Sequence, residues 1–376
     1  MNTADKQVLL RSITAADIPA LAEFCAHFPD ETRPVSFWQQ RFDFWWEENH
    51  AFSPDFPRGS LLEADGKIGG MFALIPSRIV WNSEERVAAN MSCWRVHTAL
   101  RQHSMKLFLA LMEYAQGYPL LNTTPTKDVE ALLNRVPFTH FSHGVTTESV
   151  IIRPREGGSI WQRIKDIARI HVNWWPNVQS KTPWMQVILS LIQYVRQQQY
   201  FKKVSEDQGE LFETKIIGSE FDRLWQRTHK RFPVTNVRGS LDLKWYLQKN
   251  PNRPPFDLLV HQKNGELVAF GLFTKQPTHH WPDGESYLAL DLWTDAPDDE
   301  NLLPLLGYAS NLALKNGITV LRIPHYHPHL AQVCRRAGIT CPISKIMTSY
   351  YLPPQGSLPA TDSETYCSKN MGDSGL

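Results

Sequence analysis

The sequence has few cysteines, almost no net charge and no apolar run long enough to cross a bilayer. Its five cysteines, at positions 25, 93, 334, 341 and 367, show no CxxC spacing. Such a scattered, odd set favours free thiols in a reducing compartment over a disulfide framework or a zinc site. The most apolar helical stretch, PWMQVILSLIQYVRQQQYFKK, is interrupted by polar residues before the roughly 20 apolar positions that a spanning helix needs.

The near-zero net charge also bears on which partners are expected. Lysine and arginine total 39 against 38 acidic residues, a formal net charge of +1. Nothing in this balance attracts nucleic acid, so none is expected as a partner. The first residues, MNTADKQVLLRSITAAD, lack a charged start followed by an apolar run, so we expect no signal peptide there. Together with the cysteine usage, this indicates a cytoplasmic protein.

Length and composition predict a globular chain of two domains. The 376 residues are more than twice a typical domain, and 42% are hydrophobic against 20% charged, which suits a substantial core. The 13 tryptophans are the unusual feature. Most are expected to fill the core, but tryptophan faces also suit sugars and other flat ligands.

Local patterns predict mixed strands and helices in the first 153 residues. The predicted strands cover 7–12, 59–64, 67–77, 87–96, 120–122 and 146–153. The predicted helices follow Thr14 and then cover 37–49, 107–115 and 126–135. Asp65-Gly66 between two apolar runs is a strong signal for a β-hairpin, so an antiparallel meander is expected at this point.

The same order of elements starts again at Leu211. Trp46 and Trp245, Gly66 and Gly265, and Trp94 and Trp293 are each 199 residues apart. After a slip of two residues, 135–138 (RVPF) matches 336–339 (RAGI) at an offset of 201. Constant offsets across one order of elements indicate an internal duplication. We therefore predict domains at 1–153 and 210–353.

The segment between the copies and the end of the chain differ from both repeats. Residues 154–209 predict two amphipathic helices, interpreted as a helical connector. Trp161, Trp174 and Trp175 beside Arg163, Lys165 and Arg169 also suit a membrane surface, although docking across the two domains is the favoured interpretation. Residues 354–376 are rich in Ser, Thr, Gly and Pro and are predicted to be a disordered tail.

Two stretches of the first copy resemble a known family. The strand, Arg-x-x-Gly-x-Gly/Ala loop and helix of the GNAT acyl-CoA N-acyltransferase superfamily are similar to MSCWRVHTALRQHSMKLFLALM. The next strand and helix of that superfamily are similar to LLNTTPTKDVEALLNRVPF. Ser104 and Lys106 stand where that loop has glycine, and Pro137 precedes Phe138 in place of the usual glycine. The resemblance covers 1–153 and 210–352. It implies an α/β fold with a mixed sheet in two tandem GNAT-like domains.

The resemblance also implies a donor site. In this family acetyl-CoA or another acyl-CoA lies between two diverging strands, and amides at a helix N-terminus bind its pyrophosphate; a helix N-terminus favours such anions. The residues carried over to the donor site are Trp94, Val96, Arg101, Gln102, His103, Ser104, Met105, Lys106 and Asn122. The second copy has Asp298, Asp299 and Glu300 at the matching helix start, which would repel a diphosphate, so it is expected not to bind the donor.

The usual catalytic carboxylate and tyrosine of the family are missing from the first copy, which leaves the catalytic residues unassigned. Asn122 and Thr124 could position water or the acceptor. His97 is either a base or a structural residue, and Asp291 is either a base in a shared cleft or a solvated or paired aspartate. Cys93 is interpreted as a buried small side chain rather than a nucleophile.

The alternating His325, His327 and His329 are interpreted as lining an acceptor pocket rather than as a metal site, since no further ligand is evident.

The predicted function is N-acyl transfer, with acetyl-CoA as the expected donor, to a small-molecule or glycan amine. An amino sugar or polysaccharide precursor suits the tryptophan-rich cleft. Two alternatives stay open: a Fem-type aminoacyl transferase, and a non-catalytic scaffold on the same duplicated fold.

Overall fold

The structure is a computed structural model in which two mixed β-sheets are flanked by helices. It describes residues 8–136, 138–140, 148–154, 159–161, 163–164, 188, 191–192, 194–201, 209–250, 255–277, 285–296, 300–339, 350–353 and 365–368. The predicted mixed α/β fold is confirmed.

The described residues up to Ile152 form seven strands and four α-helices. The strands are β1 (Val8–Ser12), β2 (Gly59–Ala64), β3 (Lys67–Trp81), β4 (Glu84–Val96), β5 (Leu120–Asn122), β6 (Thr139–His140) and β7 (Glu148–Ile152). The helices are α1 (Ile18–Ala26), α2 (Val35–Trp45), α3 (Ser104–Tyr114) and α4 (Lys127–Leu133), and a 3₁₀ segment, Thr98–His103, precedes α3. The hairpin predicted at Asp65-Gly66 is confirmed. Both residues adopt positive φ, +52° and +72°, which a type I′ turn requires.

The second part repeats this arrangement. Its strands are β8 (Glu210–Thr214), β9 (Val234–Asn236), β10 (Phe256–Lys263), β11 (Glu266–Pro277), β12 (Glu285–Thr294), β13 (Val320–Pro324), β14 (Tyr350–Leu352) and β15 (Thr365–Tyr366). Its helices are α5 (Ser219–Thr228), α6 (Ser240–Lys244), α7 (Leu302–Lys315) and α8 (Pro328–Arg336), and α6 continues as a π-helical turn, Trp245–Lys249. Gly265 sits at the β10–β11 turn with φ of +78°, as Gly66 does at the β2–β3 turn.

The two sheets exchange their last strands. The first runs in the order β1-β2-β3-β4-β5-β14-β6, and the second in the order β7-β13-β12-β11-β10-β8. Strand β7 pairs antiparallel with β13, with Ile152 opposite Val320, and β14 pairs with β5, with Tyr350 opposite Asn122. The strand before residue 153 therefore pairs in the second sheet, and the strand before residue 353 pairs in the first.

One hydrophobic core joins the halves. It contains α1 and α2 residues such as Phe42 together with α5 and β11 residues such as Phe270. The ring of Phe44 stacks on Trp245 at a centroid distance of 4.7 Å, and the Trp245 indole N–H donates to the Phe44 carbonyl oxygen at 3.0 Å. Strand β9 also extends the first sheet by pairing with β3, with Asn236 opposite Ile79. The halves therefore share a core as well as strands.

A buried ion pair holds part of the C-terminal segment. The side chains of Arg238 and Asp291 are both fully buried, and the Arg238 Nε donates to Asp291 Oδ2 at 2.9 Å. The Arg238 guanidinium also lies 4.1 Å from the ring centroid of Trp293 and donates to Ser368 Oγ at 3.3 Å. Residues 365–368, predicted as part of a disordered tail, are therefore buried, and Thr365 and Tyr366 form β15 beside β9. That prediction was wrong for these four residues because composition does not register the pocket around Tyr366.

The connector is described only in part. Residues 194–201 are helical, and the Phe201 ring packs against Gly307 of α7, where a Cβ atom would lie 2.9 Å from the ring. Trp161 is exposed. Trp174, Trp175, Lys165 and Arg169, which motivated the membrane alternative, lie outside the described residues. Among the helices that are described, none combines the length and apolar character of a membrane span.

Replacing Asp291 by Asn should destabilise the fold by about 3–5 kcal/mol, because it leaves the Arg238 charge buried without a counter-ion. Glu84→Gln is the matched control: its ion pair with Arg86, at 2.8 Å, is exposed and should cost roughly 0–1 kcal/mol. Urea unfolding of both variants gives the comparison. Equal losses would contradict a central role for the buried pair.

Candidate functional site

The candidate site is an opening between β4 and β5. These parallel strands pair only at Ala89–Leu120 and Asn90–Leu121. Beyond Asn90, β4 continues to Val96 while it remains paired to β3 on its other side. The end of β4 therefore has a free edge toward β5, as the resemblance implied.

A β-bulge turns main-chain donors toward this opening. The register between β3 and β4 shifts between Met71 and Ala73, and Cys93 adopts a positive φ of +50°. Beyond the bulge, the His97 N–H donates to the Gly69 carbonyl oxygen at 2.8 Å. Because N–H directions alternate along an antiparallel strand, the N–H groups of Trp94 and Val96 point away from β3, toward the opening.

The helix that follows begins earlier than the sequence indicated. The Leu100 N–H donates to the His97 carbonyl oxygen at 2.8 Å, and the Ser104 N–H donates to the Arg101 carbonyl oxygen. The stretch predicted as an open loop at 101–106 is therefore already helical. The amides without an intrahelical acceptor belong to the first turn, at Thr98 and Ala99. The Leu100 side chain packs directly over Gly69 and so fixes this start. A Cβ atom on residue 69 would lie 2.3 Å from Leu100 Cδ1.

The residues predicted for a donor site lie along this helical segment, on one face of β4 and at the end of β5. Arg101 and Lys106 are exposed, and the Lys106 ammonium donates to the Val8 carbonyl oxygen at 3.3 Å. The Trp94 ring stacks on Phe72 at 5.7 Å. Of the remaining predicted residues, Gln102 contacts His103 at 3.3 Å between their Nε2 atoms, Ser104 and Val96 are half-buried, Met105 is exposed, and Asn122 is buried at the end of β5. The structure thus places the Trp94 ring on the α3 face of β4, whereas the Lys106 ammonium reaches toward β1.

The opposite face of β4 carries charges that no local sequence pattern indicates. Arg95 donates to Glu31 Oε2 at 2.8 Å and to the Cys25 carbonyl oxygen at 3.1 Å. Hydrogen bonds from Arg33 and Arg95 hold the pKa of the Glu31 carboxyl well below its usual range. His97 stacks on Phe28 at 5.4 Å, on this same face. No local signal joins residues 31 and 95, because the α1–α2 turn meets β4 only in the folded chain.

The catalytic candidates are not brought together. His97 directly follows β4 and packs against Phe24 and Phe28, whereas Asn122 is the last residue of β5. Asp291 is buried in its pair with Arg238, and it also accepts the Leu292 N–H at 2.9 Å. Its carboxylate oxygens therefore have partners within the core, which agrees with the paired-aspartate interpretation. Cys93 is half-buried at the bulge, and Thr124 is exposed beyond β5.

The corresponding opening in the second sheet is filled by side chains. Strands β12 and β13 pair only at Tyr287–Leu321 and Leu288–Arg322, so they diverge as β4 and β5 do. Here the Tyr326 hydroxyl donates to the Ala289 carbonyl oxygen at 2.7 Å, and the Tyr366 hydroxyl donates to the Leu292 carbonyl oxygen. Asp298 and Asp299 lie outside the described residues, while Glu300 is exposed before α7. A ligand would have to displace these tyrosines.

The three histidines after β13 have separate environments. His325 is buried and its Nε2 lies 2.7 Å from Ser149 Oγ, whereas His327 Nδ1 accepts the His329 N–H at 3.1 Å. Burial, with a smaller contribution from Arg335, lowers the pKa of His325 to about 4. Within the described part of the chain, no three His, Cys, Asp or Glu side chains are grouped as a metal site.

Comparison with known proteins bears on the fold. No family model matches the sequence, and no curated protein matches it. Among solved structures, a conserved protein of unknown function from Enterococcus faecalis V583, a probable N-acyltransferase, aligns over 92% of this chain and 72% of its own, with a TM-score of 0.56 and 8% identity. GCN5-related N-acetyltransferases from Anabaena variabilis ATCC 29413 and Kribbella flavida align over 92% and 93% of this chain and 72% of their own, with TM-scores of 0.54 and 0.53 at 9% and 8% identity.

These alignments define the class of the fold. The chain has the fold of the GCN5-related N-acetyltransferases, and the resemblance found in the sequence is confirmed at this level. At such low identity, the activity and its residues must be argued from the site itself.

His325 should make stability depend on pH. Its pKa is about 4 in the folded protein against 6.5 for the ordinary side chain, so the unfolded chain binds the proton more readily. Stability from this group is therefore complete above pH 6.5 and is lost as the pH falls toward 4, by about 3 kcal/mol. Urea unfolding at pH 7 and pH 4 should show this extra loss in the wild type and not in His325→Gln. The exposed His27→Gln should behave as wild type, and equal pH losses in all three would contradict the assignment.

Proposed function

We propose that the protein is an acyl-CoA-dependent N-acyltransferase whose donor binds at the β4–β5 opening. The observation that carries this proposal is the combination at one place of a free strand edge and a helix start. The amides of Trp94 and Val96 face the opening, and the helical segment begins two residues later at Thr98. A carbonyl group and a diphosphate are the two parts of an acyl-CoA that these features would bind.

The chemistry would need little from side chains. A neutral amine attacks the thioester carbonyl carbon, and the oxygen that gains negative charge accepts hydrogen bonds from the Trp94 and Val96 amides. The C–S bond then breaks, and the proton lost by the amine neutralises the departing thiolate. His97 is the candidate to carry that proton, and Asn122 is the candidate to position the acceptor or a water molecule.

The second opening supports a division of roles between the halves. Tyr326 occupies the β12–β13 divergence, so a single donor site per chain is proposed. Acetyl-CoA is the first donor to test. The acceptor is proposed to be an amine on a small molecule or glycan precursor, with amino sugars as the first candidates.

Charge reversal at Arg101 should weaken donor binding. Arg101→Glu replaces a cation beside the helix start by an anion, so the Kd for acetyl-CoA should rise about tenfold or more. Arg86→Glu, an exposed arginine near the other end of β4, is the matched control and should bind as wild type. Isothermal titration calorimetry at low salt measures all three proteins.

Two outcomes would overturn the proposal. If millimolar acetyl-CoA produces no heat of binding and no thermal stabilisation of the wild type, the opening is not a donor site. If Arg101→Glu and Arg86→Glu weaken binding equally, the effect comes from net charge. The first outcome would favour aminoacyl transfer or a scaffold role, because neither depends on free CoA.

A further inference from the structure

A cluster of arginine and tryptophan side chains lies on the α1–α2 face of β4, outside the donor site. We define the Trp38 cluster as Glu31, Arg33, Trp38, Arg41, Trp45 and Arg95. The guanidinium carbons of Arg33 and Arg95 lie 4.8 and 4.7 Å from the Trp38 ring centroid. That of Arg41 lies 4.8 Å from the Trp45 ring. Residues 38, 41 and 45 follow helical spacing, so they form one stripe along α2.

The cluster has more cationic than anionic groups. The Glu31 side chain is 3% exposed and pairs with both Arg33, at 2.7 Å, and Arg95, at 2.8 Å. One carboxylate thus serves two guanidinium groups, each with five N–H donors. The Arg33 side chain is 42% exposed and that of Arg95 is 18% exposed, so a ligand can reach both.

Two buried donors in the cluster have no partner. The indole N–H groups of Trp38 and Trp45 make no hydrogen bond to any described residue, although these side chains are 2% and 0% exposed. Burying a donor without an acceptor costs free energy. Indole and guanidinium groups donate hydrogen bonds and accept none, so their natural complement is an oxyanion.

The position of the cluster relates it to the proposed reaction. Arg95 lies on β4 between Trp94 and Val96, whose amides face the opening. The Arg95 guanidinium reaches Phe28 and Trp38 on the α1–α2 side, whereas Trp94 stacks on Phe72 on the α3 side. A molecule held by the cluster would approach the opening from the face opposite the helix start proposed for the donor diphosphate.

We propose that the Trp38 cluster binds the acceptor, and that the acceptor is an amine whose molecule also carries a carboxylate or phosphate group. This inference rests on the proposed acyltransferase function. Arg33 and Arg95 hold the oxyanion, and the amine faces the opening. Its nitrogen bonds to the thioester carbonyl carbon, the C–S bond breaks, and the proton from nitrogen ends on the CoA thiol, so no further reactant is needed.

The test uses amines that differ in the anionic group. Glucosamine 6-phosphate is compared with glucosamine, and alanine with alaninamide, by calorimetric titration into the full chain saturated with CoA. In at least one pair the anionic member should bind at least about tenfold more tightly. The pair that shows the difference identifies phosphate or carboxylate. Equal affinities within both pairs, or no binding of any probe at millimolar concentration, would overturn the inference.

Variants locate the binding group. Arg33→Gln and Arg95→Gln each leave Glu31 with one guanidinium partner, and each should weaken the preferred anionic amine about tenfold. The matching amine that lacks the phosphate or carboxylate should bind these variants as it binds wild type. Arg86→Gln, whose partner Glu84 is exposed, is the matched β4 control and should leave both affinities unchanged. Retained affinity in both cluster variants would also overturn the inference.

Failure of the acceptor inference can be separated from failure of the proposed function. Arg33→Gln and Arg95→Gln should bind acetyl-CoA within about twofold of wild type, since they lie on the other face of β4. If wild type binds acetyl-CoA and transfers the acetyl group without preference for anionic amines, only the acceptor inference fails. Thermal unfolding of each variant checks that altered affinity does not come from altered folding.

Discussion

The pairing of β14 with β5 is the constraint on which the candidate site depends. Strand β5 has three residues and contacts β4 through two residue pairs, so alone it would be a short, weakly held edge. Strand β14 pairs with all three of its residues, from Leu352 opposite Leu120 to Tyr350 opposite Asn122. The wall of the opening is therefore supported by a segment more than two hundred residues away in the chain. The reciprocal pairing of β7 with β13 makes each sheet incomplete without the other.

The two halves use one architecture for different purposes. In both, a pair of parallel strands separates after two paired residues. In the second half, Tyr326 and the buried pair of Arg238 and Asp291 fill the space near the divergence. These contacts also hold 365–368 against β9, so the second opening contributes packing. The first half leaves the end of β4 unpaired on the β5 side and has exposed cations, Arg101 and Lys106, in the helical segment that follows.

The charges of the first opening differ between its two faces, and this difference underlies the proposed function. On the α3 side, Arg101 and Lys106 lie along an exposed helical turn where a diphosphate would be partly solvated. On the α1–α2 side, Arg33 and Arg95 share one buried carboxylate beside aromatic rings. A partly desolvated guanidinium discriminates between ligands more strongly than an exposed one, because water competes less for its donors. Added salt would therefore weaken donor binding more than it weakens the selection of the acceptor.

Much of the fold could be predicted from the sequence, and less of the candidate site. Periodicity, the turn at Asp65-Gly66 and the 199-residue offset determined the element order, the hairpins and the two related halves, because strand and helix formation depend on near neighbours. The helix start at Thr98, the exchange of β7 and β14, the Glu31–Arg95 pair and the filling of the second opening by Tyr326 were decided only by tertiary structure. Each joins residues whose proximity depends on which strands pair and which faces pack, and no local pattern records that choice.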